Sequence, residues 1–452
     1  MTNPTTATAS AGLSRTLGLR SLVLFGLAYL TPMIVLGIFG VIASASEGAS
    51  ASAYLIALVA MLFTAASYGR LAARFPVAGS AYTYVGRSID GRAGFLVGWA
   101  VLLDYLFLPM VIWLIGASYL TAAVPGVPSW VWIVGFMVIT TVLNIVGIKV
   151  ADRVNFVLMA FQFLVIALFV GLTIASVVGE SGGAALISAS PFTGEGAEFS
   201  HVIGAAAVAA YSFLGFDAVT TLTEETKEPA KVMPRAILLI ALIGGGIFIV
   251  VTYFTQLVHP GGNFADESSA AFEIAQTIGG NVFSAVFVAG LIIAQFTSGL
   301  AAQASGSRLL YAMGRDGVLP RRIFAIVHRG FHTPWGAIVV VGVVGLIALF
   351  LDVATSTSFV NFGAFIAFAM VNISVIVLAV RSRRDGAPAN VLLDYVFPAV
   401  GALVIIGLLT QLDSNALIIG GVWVAVGLVI LATLTGGFRR QPPSVDPDAF
   451  AG

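Results

Sequence analysis

Cysteine is absent from this chain, and charge is scarce: of 452 residues, only 9% are Asp, Glu, Lys or Arg. The missing cysteine excludes disulfides and thiolate metal ligands. Soluble globular proteins carry roughly 25% charged residues. At 59% hydrophobic, this chain has too little polar surface to meet water on every side. Its 21 basic and 21 acidic residues cancel, so there is no basic footprint for nucleic acid. The four histidines (201, 259, 328 and 332) stand near the ends of apolar runs, without metal-ligand spacing. No Ser/His, paired-carboxylate or metal-ligating cluster falls at one depth, and no GxxxxGK[ST] motif marks an ATP-driven pump. An enzyme, a cofactor and a metal site are therefore not expected.

What the chain has is apolar runs. Length alone would predict roughly three soluble domains; the runs predict one all-α polytopic membrane protein instead. A span needs about 20 predominantly apolar residues. Twelve qualify: 21–46, 51–72, 92–122, 128–148, 153–178, 200–224, 236–258, 280–312, 334–351, 357–380, 394–412 and 416–436. Runs longer than about 25 residues predict tilted or broken helices. The first run follows Arg15 and Arg20 and is too long for a signal-peptide core, which predicts a retained helix.

Orientation follows from Lys and Arg. With the N-terminus in the cytoplasm, all 21 basic residues fall on the cytoplasmic side. The 2–3 loop holds Arg70, Arg74, Arg87 and Arg92, the 4–5 loop Lys149 and Arg153, and the 6–7 loop Lys227, Lys231 and Arg235. The opposite loops carry acids alone, among them Glu47, Glu198, Asp266, Asp352 and Asp413. A shifted span count would scramble this pattern. The chain is thus expected in the inner or plasma membrane of a bacterium, with both termini cytoplasmic.

Subtraction leaves two acids inside the hydrocarbon layer, Asp104 and Asp217, with no basic residue at their depth. A charge at the bilayer centre costs about 2.5–3.5 kcal/mol on insertion scales, so such a residue suggests function. Two spans are also interrupted. Span 1 has Thr31 and Pro32 in its middle, and proline removes a backbone donor. Span 6 reads AYSFLGFDAV, with Gly215 at a comparable depth. Proline and glycine in membrane helices often mean only a kink or close packing. Two breaks at matching places, beside a lone acid, point instead to the discontinuous helices with which secondary transporters bind substrate at mid-membrane.

Three stretches carry a resemblance. SYGRLAARFPVAGSAYTYV (67–85) leads into span 3; SFLGFDAVTTLTEETKEPAKVMPRAI (212–237) leaves span 6; SRLLYAMGRDGVLPRRIFA (307–325) leaves span 8. Together they resemble the amino acid–polyamine–organocation transporter superfamily across nearly the whole chain. GLAYLTPM (26–33), VGWAVLLDYLFLPM (97–110), SFLGFDAVTTL and NFGAFIAF (361–368) are similar to bacterial putrescine importers within it.

The resemblance implies a LeuT-like five-plus-five inverted repeat with broken helices 1 and 6. The implied divisions are an N-terminal tail (1–20), helices 1–5 (21–178), helices 6–10 (200–380), helices 11–12 (394–436) and a C-terminal tail (437–452). It implies substrate between helices 1, 3, 6 and 8, against Tyr29, Leu30, Thr31, Pro32 and Met33 of the first break. The second break contributes Tyr211, Ser212, Phe213, Leu214 and Gly215. On helix 3, Asp104 and Tyr105 stand as an acid and a π-face for an ammonium group; the structural alternatives are an interhelical hydrogen bond and ordinary packing. Asp217 is expected to couple transport to protons, or else to bond the unwound backbone. Glu225 is expected to act as a cytoplasmic gate, or else, with its neighbour Glu224, to form solvated ion pairs near Lys227 and Lys231.

The substrate reading has two sides. Pro32 removes an amide that many superfamily members offer to a carboxylate, which favours a diamine such as putrescine. Leu36 and Gly37 stand where putrescine importers tend to carry an acid, which keeps a neutral or aromatic amino acid as the alternative. Gln162 falls where some members place a lysine on helix 5, so neither a sodium site nor a lysine proton switch transfers to it.

Overall fold

The computed structural model describes residues 15–77, 80–147, 152–315, 317–385, 388 and 390–442. Gly79, Lys149 and the outer parts of both tails lie outside the described residues, as do the side chains of Arg153 and Glu224. Among the described residues, eleven helices are long and apolar enough to cross a bilayer, and the shorter apolar segment Trp335–Phe350 makes a twelfth.

In chain order, α1 runs as three pieces, Leu19–Leu30, Ile34–Gly37 and Phe39–Ala45. It is followed by α2 (Ser50–Arg74), α3 (Gly91–Ala123), α4 (Ser129–Val146) and α5 (Asp152–Ser181). The sixth span, α6, is Phe199–Ala209, continued by the 3₁₀ turns Ala210–Phe213 and Ala218–Glu225. Then come α7 (Pro229–Val258), α8 (Ala270–Arg315), α9 (Trp335–Gly345, tightening to 3₁₀ over Leu346–Phe350) and α10 (Val353–Arg384). The last two are α11 (Phe397–Leu409, entered by the π turn Leu392–Val396) and α12 (Ser414–Leu434). All twelve expected spans are present. Helix α8 starts earlier than its apolar run suggests, because residues 270–279, interrupted by Glu273, Gln276 and Thr277, precede a bend at Gly280, where φ is 63°. The segment after α2 is not all loop: Ala81–Ser88 is a helix.

Acids that stand outside the spans start helices. Asp352 accepts a hydrogen bond from Thr355 N at 2.7 Å, and Asp413 accepts from Asn415 N at 2.9 Å. Asp90 does the same for Ala93 N at 3.2 Å. An acceptor here satisfies one of the amides a helix leaves unpaired at its first turn.

Helix α2 packs along α7 and α3 along α8, with α10 against α3 and α11. Lipid tails are as apolar as leucine, so packing and interhelical hydrogen bonds hold such a bundle. Asn372 of α10 accepts from Ser67 of α2 at 2.6 Å and donates to Thr64 at 3.1 Å. Trp99 of α3 and Trp423 of α12 stack at 4.9 Å, and each indole N–H donates to the other's carbonyl at 2.8 Å. Arg70 of α2 pairs with Asp394 at the head of α11. Small residues then bring α3 inward. Any Cβ at Gly363 of α10 would strike the Ala100 carbonyl, and one at Gly306 of α8 would meet the Tyr105 carbonyl at 2.5 Å. These two close approaches set the depth and rotation of Asp104.

Candidate substrate site

The site grows from the two interruptions. Helix α1 stops at Leu30, and Thr31 takes the left-handed conformation (φ 50°, ψ 78°) just before Pro32. A non-glycine residue there is uncommon and costs energy, which surrounding structure must hold in place. In α6, Gly215 sits at φ 97°, open to glycine because it lacks Cβ. Backbone in a bilayer must find partners inside the protein. Tyr119 of α3 donates to the Leu36 carbonyl at 2.6 Å, and Asn361 of α10 donates to the Ala207 carbonyl at 2.8 Å. Tight turns such as Ala218 N to Gly215 O (3.0 Å) and Thr220 N to Asp217 O (2.9 Å) take up the rest.

The interruptions face each other. Gly215 lies so near Tyr29 that a Cβ would strike its ring. Two cavities open beside this contact. The larger, about 310 Å³, is lined by Tyr29, Leu30, Thr31, Leu108, Gln162, Tyr211, Leu214 and Gln295, among others. The smaller, about 40 Å³, holds Tyr29, Tyr68, Asp104, Tyr105, Leu214, Gly215 and Asp217. Both are walled by Tyr29, Leu108 and Leu214, so they adjoin at the breaks. In the small cavity, Asp104 Oδ1 has no hydrogen-bond partner among the described residues.

Most expected site residues therefore converge. Tyr29, Leu30, Thr31, Asp104, Tyr105, Tyr211, Leu214, Gly215 and Asp217 line one cavity or both. Pro32, Met33, Ser212 and Phe213 line neither and are buried. Met33 lies against Gly290 of α8, Ser212 bonds the Tyr54 hydroxyl at 2.9 Å, and Phe213 packs edge-on against Phe248. These residues hold the breaks. Helices α2, α5 and α10 also contribute, through Tyr68, Gln162 and Phe368. Tyr68 stands inside the quoted SYGRL stretch, but nothing in that stretch says which way its ring points.

Glu225 lies at the basic end of the bundle. Its carbonyl accepts from Leu17 N at 3.0 Å, and Lys227 N donates to the Leu17 carbonyl at 2.9 Å. Its carboxylate forms no ion pair with a described residue. A third cavity of about 500 Å³, lined by Asn144, Arg308, His332 and Thr333, meets the large one at Thr297 and Ala301. The opposite end is packed shut. Tyr119 meets Phe287 at 5.9 Å, Phe39 meets Phe264 at 6.0 Å, and a Cβ at Gly40 would strike the Glu267 carbonyl.

Known proteins align with the whole of this architecture. The family model for amino acid permeases matches residues 22–434. The low-affinity putrescine importer PlaP of Escherichia coli (strain K12) is 39% identical over 446 residues, covering 98% of this chain and 99% of the relative. The branched-chain amino acid permease BcaP of Bacillus subtilis (strain 168) is 28% identical, covering 92% of each chain. The methylthioribose transporter of the same organism is 28% identical, covering 93% of each. With twelve spans, breaks in α1 and α6 and an internal cavity at those breaks, the chain belongs to the amino acid permease family of the amino acid–polyamine–organocation superfamily, as a multi-pass membrane transporter of amines or amino acids and not an enzyme.

Proposed function

We propose that this transporter imports a small organic amine, putrescine or a related diamine, by alternating access coupled to protons. The observation that carries the reading is the pair of acids. Asp104 and Asp217, without a basic partner, line one cavity of about 40 Å³. A water molecule's share of liquid volume is about 30 Å³, so that space suits a single ammonium head. Tyrosines 29, 68 and 105 line the same cavity, and aromatic rings attract cations. The remaining carbon chain then extends into the larger cavity between α1, α3, α5, α6 and α8. Two carboxylates at such close quarters repel. Either an ammonium group or a proton relieves that repulsion, which gives substrate and proton a common site to exchange at.

The loop charge asymmetry supports a cytoplasmic vestibule, with both termini on that side and the acidic loops outside, in the inner membrane. On that orientation the conformation described is inward-facing, and Glu225 is released from any gate contact. The broken helices α1 and α6, one from each five-helix repeat (21–178 and 200–380), move together against the rest of the bundle. The similarity to a putrescine importer supports the substrate class.

A neutral amino acid is the second reading. It is favoured by the large cavity, whose lining carries no charged side chain. Binding of radiolabelled putrescine to the purified protein separates the two. We expect displacement by unlabelled putrescine and not by leucine. Displacement by leucine, or retention of radiolabelled leucine with no retention of putrescine, supports the amino acid reading and contradicts ours.

A further inference from the structure

Gln162 of α5 is the residue the reading above leaves unused. It is 6% exposed, and it lines the larger cavity. Its Oε1 is buried and has no hydrogen-bond partner among the described residues. Buried carbonyl oxygens in native proteins are nearly always paired, so an unpaired one on a cavity-lining residue asks for a partner. The other polar groups nearby answer differently. Thr297 donates its hydroxyl to the Ile293 carbonyl at 2.9 Å, and Thr31 turns back on the Tyr29 carbonyl at 3.4 Å. Met159, Ile112 and Ala302, which line the same cavity, are apolar, and Gln295 and Ser298 are polar.

We propose that Gln162 accepts a hydrogen bond from the distal ammonium group of a diamine, and so selects diamines over monoamines. This rests on the seating of the first ammonium between Asp104 and Asp217. The small cavity has room for one head only, so the second must lie beyond the wall of Tyr29, Leu108 and Leu214. In the larger cavity it meets no carboxylate. A neutral amide oxygen there holds an ammonium by a charge-assisted bond while adding no second fixed charge to the membrane interior. It also leaves the distal head easily released toward the vestibule, which a carboxylate would not.

The test is displacement of radiolabelled putrescine from the purified full chain by putrescine, n-butylamine and 4-aminobutyrate. These share a four-carbon chain and differ at the distal end. In the wild type, putrescine is expected to outcompete n-butylamine by about ten- to a hundredfold, the range of one hydrogen bond to a charged group. Gln162→Leu should collapse that ratio toward one, with n-butylamine affinity kept. Gln162→Glu, which keeps the size and adds a countercharge, should raise it, and covers the case where the leucine variant does not fold. A ratio unmoved in either folded variant overturns the assignment. So does 4-aminobutyrate binding better than n-butylamine, because the amide would then be donating to a carboxylate. A wild type that retains no putrescine at all contradicts the amine reading itself, a distinct outcome from an unmoved ratio.

Discussion

Asp104 and Asp217 were legible in the sequence by subtraction alone: once every charged residue is assigned to a loop, these two remain. Their convergence on one cavity was not legible, because it depends on the rotation of α3, fixed by close contacts with Gly306 and Gly363. Gln162 was visible only as a departure from a family pattern, since an uncharged amide in an apolar run leaves no charge to trace. The two acids have separable roles on this account. Asp104 presents an unpaired oxygen to the cavity, so Asp104→Asn should weaken putrescine binding about tenfold or more, by loss of a charge-assisted bond. Folding should be little affected, because that oxygen has no hydrogen-bond partner among the described residues to leave behind. Equilibrium binding to the purified variant, with a monodisperse gel-filtration profile as control, checks this. Wild-type affinity in the variant would move the ammonium elsewhere.

At the scale of elements, the breaks were foreseen within a few residues, because proline and a strategically placed glycine act on the backbone directly. In α1 the interruption falls at Thr31 to Met33, as Pro32 dictates. In α6 the irregular stretch extends past Gly215 to Asp217, and both flanking pieces are 3₁₀ rather than α. Hydropathy could not show this, since a run this short fits a 3₁₀ or an α period equally well. The same blindness applies to the helix Ala81–Ser88, whose polar sequence reads as a loop. Gly215 joins two demands, a positive φ and the ring of Tyr29 against its Cα. Gly215→Ala should therefore be costly on both counts, by roughly 1–3 kcal/mol from strain alone. A lower melting temperature and loss of putrescine binding are expected in a thermal-shift and binding pair. An unchanged melting temperature would show that α6 is not held as described.

At the scale of the molecule, the cavities give a direction. The acid cavity adjoins the large one, and the large one adjoins the vestibule at the basic end, while aromatic contacts close the other end. Leu17, just before α1, pairs by backbone hydrogen bonds with residues 225–227, just after α6. The two broken helices are thus tied at their basic ends, which suits them to move together. The charge asymmetry that oriented the spans was readable from loop composition. Cavity continuity was not, because it arises from residues on many helices far apart in sequence. The central claim is that Asp217 exchanges a proton for a cationic substrate at mid-membrane. The measurement that tests it is putrescine accumulation in proteoliposomes under an imposed inward proton gradient, for the wild type and Asp217→Asn side by side. The account predicts accumulation above equilibrium in the wild type, and none in the variant although it inserts and folds. Gradient-driven accumulation by Asp217→Asn equal to that of the wild type would contradict it.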